Sequence, residues 1–245
     1  MRFLLIALLF STSLAHAASP KAEAFAPLFE LAGIRLLCEQ TAPLVQRGLS
    51  DKQQAQLAKV FAADGLCLDL AKKLTGKLDQ AQLVQAKSLL ESPLAQGFTA
   101  AERSVGEGGA EGLTAYRTQL VDRPPREERL ALVRRLDAAA HTTTLATLLR
   151  YEVGKTQAFL ALQERGESID EKALSTQTKA QEDALRASSS QAVESFMLYA
   201  YRQMPSEKLA EYAALYEQPA VAQLLDSSVQ VLPELFAARR AQLKK

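Results

Sequence analysis

The chain has 245 residues, 48% of them hydrophobic and 23% charged, with a formal net charge of +1. This ordinary globular composition excludes wholesale disorder and a polytopic membrane protein. A near-neutral chain also has no global attraction to nucleic acid or anionic lipid, so no nucleic-acid partner is expected.

The amino terminus reads as a secretory signal. Arg2 supplies the positive end, residues 3–10 form an apolar run of h-region length, and Ala15-His16-Ala17 fits the small-x-small cleavage rule. The run is well short of the roughly 20 residues that span a bilayer, although an uncleaved anchor is the alternative. Cleavage leaves a mature chain beginning at Ala18, and Ala rather than Cys there argues against a lipoprotein. No later segment is long and apolar enough to span. The expectation is a soluble periplasmic or secreted protein.

Cys38 and Cys67, 29 residues apart, then sit in an oxidising compartment and are expected to form a disulfide. Closing such a loop stabilises by roughly 3–4 kcal/mol. Two buried free thiols are the alternative. Two Cys and the single His left after cleavage cannot supply the usual zinc ligand sets, so neither a metal nor a cofactor is expected.

Strand signals are nearly absent. Ala, Leu, Gln, Glu, Lys and Arg dominate, and apolar residues recur at three- and four-residue steps. The pattern predicts an all-α array of about nine to eleven helices.

In chain order, a helix over 22–32 stops at Gly33. Ile34, Leu37, Cys38, Thr41 and Val45 make one face of the next, which Pro43 ends or kinks. Ser50-Asp51-Lys52-Gln53 is a capping box opening a third helix, to about Ala63. Leu66, Cys67, Leu70, Ala71 and Leu74 form the following stripe, so both cysteines point inward. Residues 79–90 are helical, and Ser92-Pro93 restarts the chain with Ser as N-cap and Pro at N1.

Gly106, Gly108, Gly109 and Gly112 mark a flexible boundary. It divides the chain into a signal (1–17), a first half (18–105), a linker (106–112) and a second half (113–245), the halves packing as one unit. Pro124-Pro125 opens a helix carrying Leu130, Val133 and Leu136. A long helix over 142–165 stops at Gly166, with Thr as its N-cap. A polar segment over 168–190 leads to a helix over 192–204. There Phe196, Met197, Leu198, Tyr199 and Tyr201 leave no polar face, which places it centrally. The tail Arg239, Arg240, Lys244 and Lys245 reads as a solvated helix end favoured by the macrodipole.

Within 142–165, Leu145, Leu148, Leu149, Phe159 and Leu160 define one face, and Glu152 falls near its middle beside Thr156. The expectation is a buried carboxylate paired with Arg134 or Arg135. The alternatives are a surface position, because Gly154 breaks the helix, and a functional ligand or acid.

An internal repeat joins the two halves. Leu83, Leu89, Glu91 and Pro93 match Leu209, Leu215, Glu217 and Pro219 at one offset of 126 residues (Pro219 against Pro93). Its physical content is a helix, a break and a second helix entered through Pro. The same residues resemble an uncharacterised family of helical proteobacterial periplasmic proteins with a Phe-Tyr-x-Ser-Pro-x-Gly signature. The first copy, Leu89-Leu90-Glu91-Ser92-Pro93-Leu94-Ala95, keeps Ser-Pro. The second keeps Tyr216 and Pro219 but has Leu215, Gln218 and Val221 where the signature has Phe, Ser and Gly. The resemblance implies an exported all-α fold and no assigned activity.

The chemical motifs are incomplete. Gly154-Lys155-Thr156 looks like the end of a phosphate loop, but Leu149 stands where the first Gly belongs and no strand precedes it. His141 beside Thr142, Thr143 and Thr144 offers a base near hydroxyls on diverging helix positions. Glu194-Ser195 resembles the catalytic pair of lytic transglycosylases without their Gly-Leu-Met-Gln stretch. No catalytic residues are assigned. The expectation is an exported non-enzymatic helical module binding a protein, peptide or apolar ligand between its halves. The alternatives are a cell-wall hydrolase or lyase using one carboxylate, and a dimeric envelope assembly or stress accessory.

Overall fold

Apolar side chains that recur every three or four residues can be buried together only on helix faces. The computed structural model describes residues 20–108 and 110–243, without the side chains of 107, 108 and 110, and is 83% helical with no strand among them. The cleavage region, Gly109, Lys244 and Lys245 lie outside the described residues.

A 3₁₀ turn (Ala22–Phe25) leads into α1 (Ala26–Leu31), α2 (Ile34–Val45), α3 (Asp51–Val60), α4 (Ala63–Leu74), α5 (Gln80–Leu90) and α6 (Pro93–Gly108). There follow α7 (Ala110–Asp122), α8 (Glu127–Ala140), α9 (Thr142–Glu164), α10 (Glu171–Thr178), a second 3₁₀ turn (Lys179–Gln181), α11 (Glu182–Ala200), α12 (Ser206–Tyr216) and α13 (Pro219–Ala241). Eleven of these helices reach ten residues or more; α1 and α10 are shorter. None of the described helices is long and apolar enough to cross a membrane.

Local chemistry sets many boundaries. Gly33 and Gly166 take φ of 72° and 76°, the left-handed conformation that Gly adopts without a Cβ penalty. Asp79 accepts from the Gln82 N–H at 2.8 Å, and Gln82 Oε1 accepts from the Asp79 N–H at 2.9 Å. Such a box satisfies two helix-start donors. Ser92 Oγ accepts from the Ala95 N–H at 3.3 Å, just ahead of Pro93.

Elsewhere tertiary packing overrides the sequence pattern. Helix α2 continues past Pro43 to Val45, losing one helix hydrogen bond there while burying Thr41 and Val45 on its inner face. His141, at φ 54°, occupies the start of α9, and Asp137 rather than Thr142 caps it, accepting from the Thr143 N–H and hydroxyl at 2.7 Å each. Helix α11 begins at Glu182 and ends at Ala200, because the polar stretch before Ala192 is itself helical and buries Ser189. Gly106 and Gly108 belong to α6 and Gly112 to α7. A Cβ at Gly112 would overlap the Tyr199 hydroxyl, so this glycine permits close approach of α7 to α11.

Two sets of helices, from two stretches of the chain, share part of their spacing and packing. Helix α4 ends at Leu74 and α11 at Ala200, α5 covers Gln80–Leu90 and α12 Ser206–Tyr216, and α6 and α13 start at Pro93 and Pro219, all at the offset of 126 (Ala200 against Leu74). Helix α1 packs on α2, α4 and α5, and α2 on α4; likewise α8 packs on α9, α11 and α12, and α9 on α11. The last helix of each set crosses over. Helix α6 lies against α11 and α12, and α13 against α4 and α5. Leu83, Leu209 and Leu215 are buried, and Leu89 is half-buried against the same continuous core. This exchange ties the chain into one core.

Candidate functional site

Cys38 on α2 and Cys67 on α4 face each other in the core with Sγ atoms 2.6 Å apart. This is nearer to a covalent S–S distance of about 2.05 Å than two unbonded sulfurs pack. The contact with Cys67, and then burial, push the Cys38 thiol up. The contact with Cys38, aided by Arg35, pulls the Cys67 thiol down against its own burial.

Glu152 is buried, at 2% exposed, but its partner is not Arg134 or Arg135. Those two engage Glu194 at 2.9 Å and Glu217 at 2.6 Å. Glu152 instead meets Arg240, 1% exposed, with Oε2 2.7 Å from Nη2, and Lys155 at 3.5 Å. Both cations also reach Glu171, at 2.6 Å and 2.8 Å, closing a neutral group of four. Glu152 Oε2 has Coulombic contact but no hydrogen bond of good geometry. Burial works to raise the Glu171 carboxyl, and hydrogen bonds from Arg240 and Lys155 outweigh it, holding it below the usual range.

Arg239 and Arg240 are therefore buried rather than forming a solvated tail. Arg239 donates to Asp69 at 2.6 Å and to the Val60 carbonyl at 2.9 Å. The signal was present in the sequence: Ser228, Leu232, Leu235, Phe236, Arg239, Arg240 and Leu243 continue one stripe at helical spacing.

The other motif residues are held in structural contacts. Lys155 of the Gly-Lys-Thr run serves the buried ion group. His141 Nε2 lies 2.7 Å from Asp226. Glu194 is held by Arg134, and Ser195 Oγ accepts from Arg117 at 2.9 Å.

A second buried polar group lies where α6 meets α11 and α12. The Phe98 ring stacks on Tyr212 at 4.2 Å and meets Tyr201 edge-on at 5.0 Å. The Tyr201 hydroxyl donates to Glu102 at 2.5 Å, and the Tyr212 and Tyr216 hydroxyls pair at 3.3 Å. Burial raises all three phenols, Tyr216 to about 12, and raises the Glu102 carboxyl against the opposing pull of Tyr201.

One open cleft, of about 390 Å³, was not foreseen. It is lined by Tyr116 of α7, Pro125, Arg126 and Arg129 at the start of α8, Leu198 of α11, and the corner formed by Arg202, Met204, Pro205 and Ser206. Arg129 is half-buried and donates to the Tyr201 carbonyl at 2.6 Å and to Ser206 Oγ at 3.4 Å. Burial pulls its guanidinium below the ordinary value. The Arg202 guanidinium lies 4.0 Å from the Tyr199 ring centre and donates to the Tyr199 carbonyl at 2.7 Å. Among the described residues, no carboxylate lies within ion-pair distance of Arg126, Arg129 or Arg202. Two stretches about 70 residues apart, 116–129 and 198–206, assemble this cleft, and no local motif announces it.

Among the described residues, no three His, Cys, Asp or Glu side chains converge as a metal-binding group. Compared with known proteins, the chain matches no family model, no curated protein and no solved structure.

Proposed function

We propose that the protein is exported and acts as a non-catalytic helical binding module, with its ligand held in the cleft between α7, α8, α11 and the corner before α12. The carrying observation is that cleft: about 390 Å³, where Tyr116, Pro125, Leu198, Met204 and Pro205 stand beside three arginines that lack carboxylate partners among the described residues. Ligand sites typically combine apolar side chains with a few convergent polar groups in one concavity. All nine lining residues fall within 113–245, so the site belongs to the second half rather than to the junction between halves.

Export is supported by Arg2, the apolar run over 3–10 and Ala15-His16-Ala17, and by the family resemblance around Pro93 and Pro219. In an oxidising compartment Cys38 and Cys67, already in contact, form a disulfide joining α2 to α4. The correspondence of the two helix sets supports reading them as two related halves.

Native mass spectrometry of protein recovered from the periplasm tests this reading. The chain should begin at Ala18 and carry a bound small molecule that is lost from a Met204→Trp variant with the cleft filled. A chain retaining its leader removes export. A spectrum with no adduct, or with the same adduct on the filled variant, removes the cleft.

A further inference from the structure

We propose that the cleft recognises an oxyanion group, a carboxylate or a phosphate ester, carried on a small apolar body. This rests on reading the cleft as the ligand site and assigns the chemical class of its ligand.

The argument begins with charge. Three guanidinium groups line one cleft, and none of its nine lining residues is acidic. Several arginines elsewhere are matched by carboxylates: Arg35 with Glu39 and Asp64, Arg134 with Glu194, Arg135 with Glu217, Arg239 with Asp69, and Arg240 with Glu152 and Glu171. Arg117 and Arg150 are held by serine hydroxyls. What distinguishes the cleft is that three guanidinium groups share it. Arg129 is half-buried without a counter-charge, which is unfavourable for a cation partly withdrawn from water, and an anion placed between it and the exposed Arg126 and Arg202 restores the balance.

Donor geometry adds to this. A guanidinium has five N–H donors in a planar fork that matches the two oxygens of a carboxylate or phosphate. Arg129 is anchored through its Nη atoms to Tyr201 and Ser206, and Arg202 is anchored to the Tyr199 carbonyl over the Tyr199 ring. Each keeps donors beyond those bonds. Because both forks are already positioned by the protein, little conformational freedom remains to be lost on binding.

The helix ends are not the main attraction. Glu127 and Glu128 in the first turn of α8, and Glu207 in that of α12, already offset the positive ends of those dipoles. The arginines carry the selectivity for an anion. The remaining lining sets the body of the ligand: Tyr116, Pro125, Leu198, Met204 and Pro205 present apolar surface beside the guanidinium groups. A bare inorganic ion leaves that surface wet, whereas a short aromatic or aliphatic group covers it.

Titration calorimetry on the whole protein at low ionic strength separates these contributions. The probes are phenylacetate, phenyl phosphate, inorganic phosphate and the neutral phenylacetamide. At least one of the two phenyl anions should bind, and the tighter one identifies the carboxylate or the phosphate source. Inorganic phosphate should bind more weakly than phenyl phosphate. Phenylacetamide should bind roughly tenfold or more weaker than phenylacetate, if the carboxylate is the source. Arg126→Gln and Arg202→Gln, both at exposed positions, should each weaken the preferred anion by roughly tenfold and leave phenylacetamide unchanged. These variants keep the test decisive where Arg129→Gln, at a half-buried site, fails to fold. Equal affinity for the preferred anion and the neutral amide, or anion binding unaffected by both arginine variants, overturns the oxyanion assignment. If a ligand co-purifies in the cleft but no anion binds, the binding-module reading stands and this inference falls. If no ligand co-purifies and no anion binds, both fall.

Discussion

The contact of α6 with α11 and α12 and the contact of α13 with α4 and α5 occupy corresponding places, yet they are built from different chemistry. In the first, Phe98, Tyr201 and Tyr212 form a cluster of rings, with Tyr216 and Glu102 completing it. At the offset of 126 (Leu224 against Phe98) the second has Leu224, Thr75, Ala86, Leu90 and Ser228. The aromatic contact brings hydroxyls into the core, and these find Glu102 and one another. In the aliphatic contact the Ser228 hydroxyl returns to the carbonyl of Leu224, at 2.7 Å in its own helix. One arrangement of helices therefore accepts either ring stacking or aliphatic packing, provided that each buried polar atom is satisfied.

The two crossing helices also end differently. Helix α6 stops at Gly108 and the chain turns into α7, whereas α13 continues past the corresponding Glu234 to Ala241. Those extra turns carry Phe236, Arg239 and Arg240, so α13 is anchored by charge as well as by apolar contact.

The largest effect should come from removing that anchor. Arg240→Ala leaves Glu152 and Glu171 with Lys155 as their one remaining cation in the group and should cost about 3–5 kcal/mol in urea denaturation. Glu152→Ala should come next, and above every other carboxylate-to-Ala change, because Arg240 and Lys155 both retain Glu171. A neutral Arg240→Ala would show that the extra turns of α13 add nothing to its aliphatic contact.

The first set contains the cysteine pair, and the second has Val193 in place of Cys67. Reduction of the proposed disulfide should lower stability by roughly 3–4 kcal/mol, read as a shift of the denaturation midpoint with and without reductant. Two titratable thiols in protein taken from the periplasm would refute the bond.

Exchanging the residues at one corresponding position tests the comparison directly. Phe98→Leu, which loses the stack on Tyr212, should cost roughly 1–2 kcal/mol. Leu224→Phe should overpack the aliphatic contact and cost about 1–3 kcal/mol. If both exchanges leave the melting temperature unchanged, the two contacts are interchangeable and the contrast has no energetic content.

The smallest effect concerns Glu102. Burial raises its folded-state pKa above the ordinary 4.5, so the protonated form is favoured in the folded protein. Its contribution is fully present below the unfolded value and is lost as pH rises through the folded one. Glu102→Gln keeps an acceptor for the Tyr201 hydroxyl and removes this loss. The variant should be slightly more stable at pH 7 and should show a flatter stability profile above pH 4.5. A profile parallel to that of the parent protein would place the titration elsewhere.

Much of the fold was legible residue by residue. The box at Asp79, the caps at Ser50 and Ser92, the stops at Gly33 and Gly166, and the inward faces of Cys38 and Cys67 all depend on neighbours within a few positions. Glu152 was legible as buried, because the face on which it lies is a property of one helix. Its partner was not, since Arg240 comes from a helix 88 residues further along the chain. The stripe through Arg239 and Arg240 was readable in principle, but two cations at a chain end also fit a solvated terminus favoured by the macrodipole.

Sequence by itself determined the helical class and many of the helix boundaries, because hydrogen bonding and periodicity act within a few residues. Only the tertiary structure decided that α6 and α13 cross between the two sets, that Arg240 pairs with Glu152 and Glu171, and that Arg126, Arg129 and Arg202 share one cleft. Those facts depend on where distant helices meet. Side chains that converge in space from separate helices leave no periodic trace along the chain that carries them.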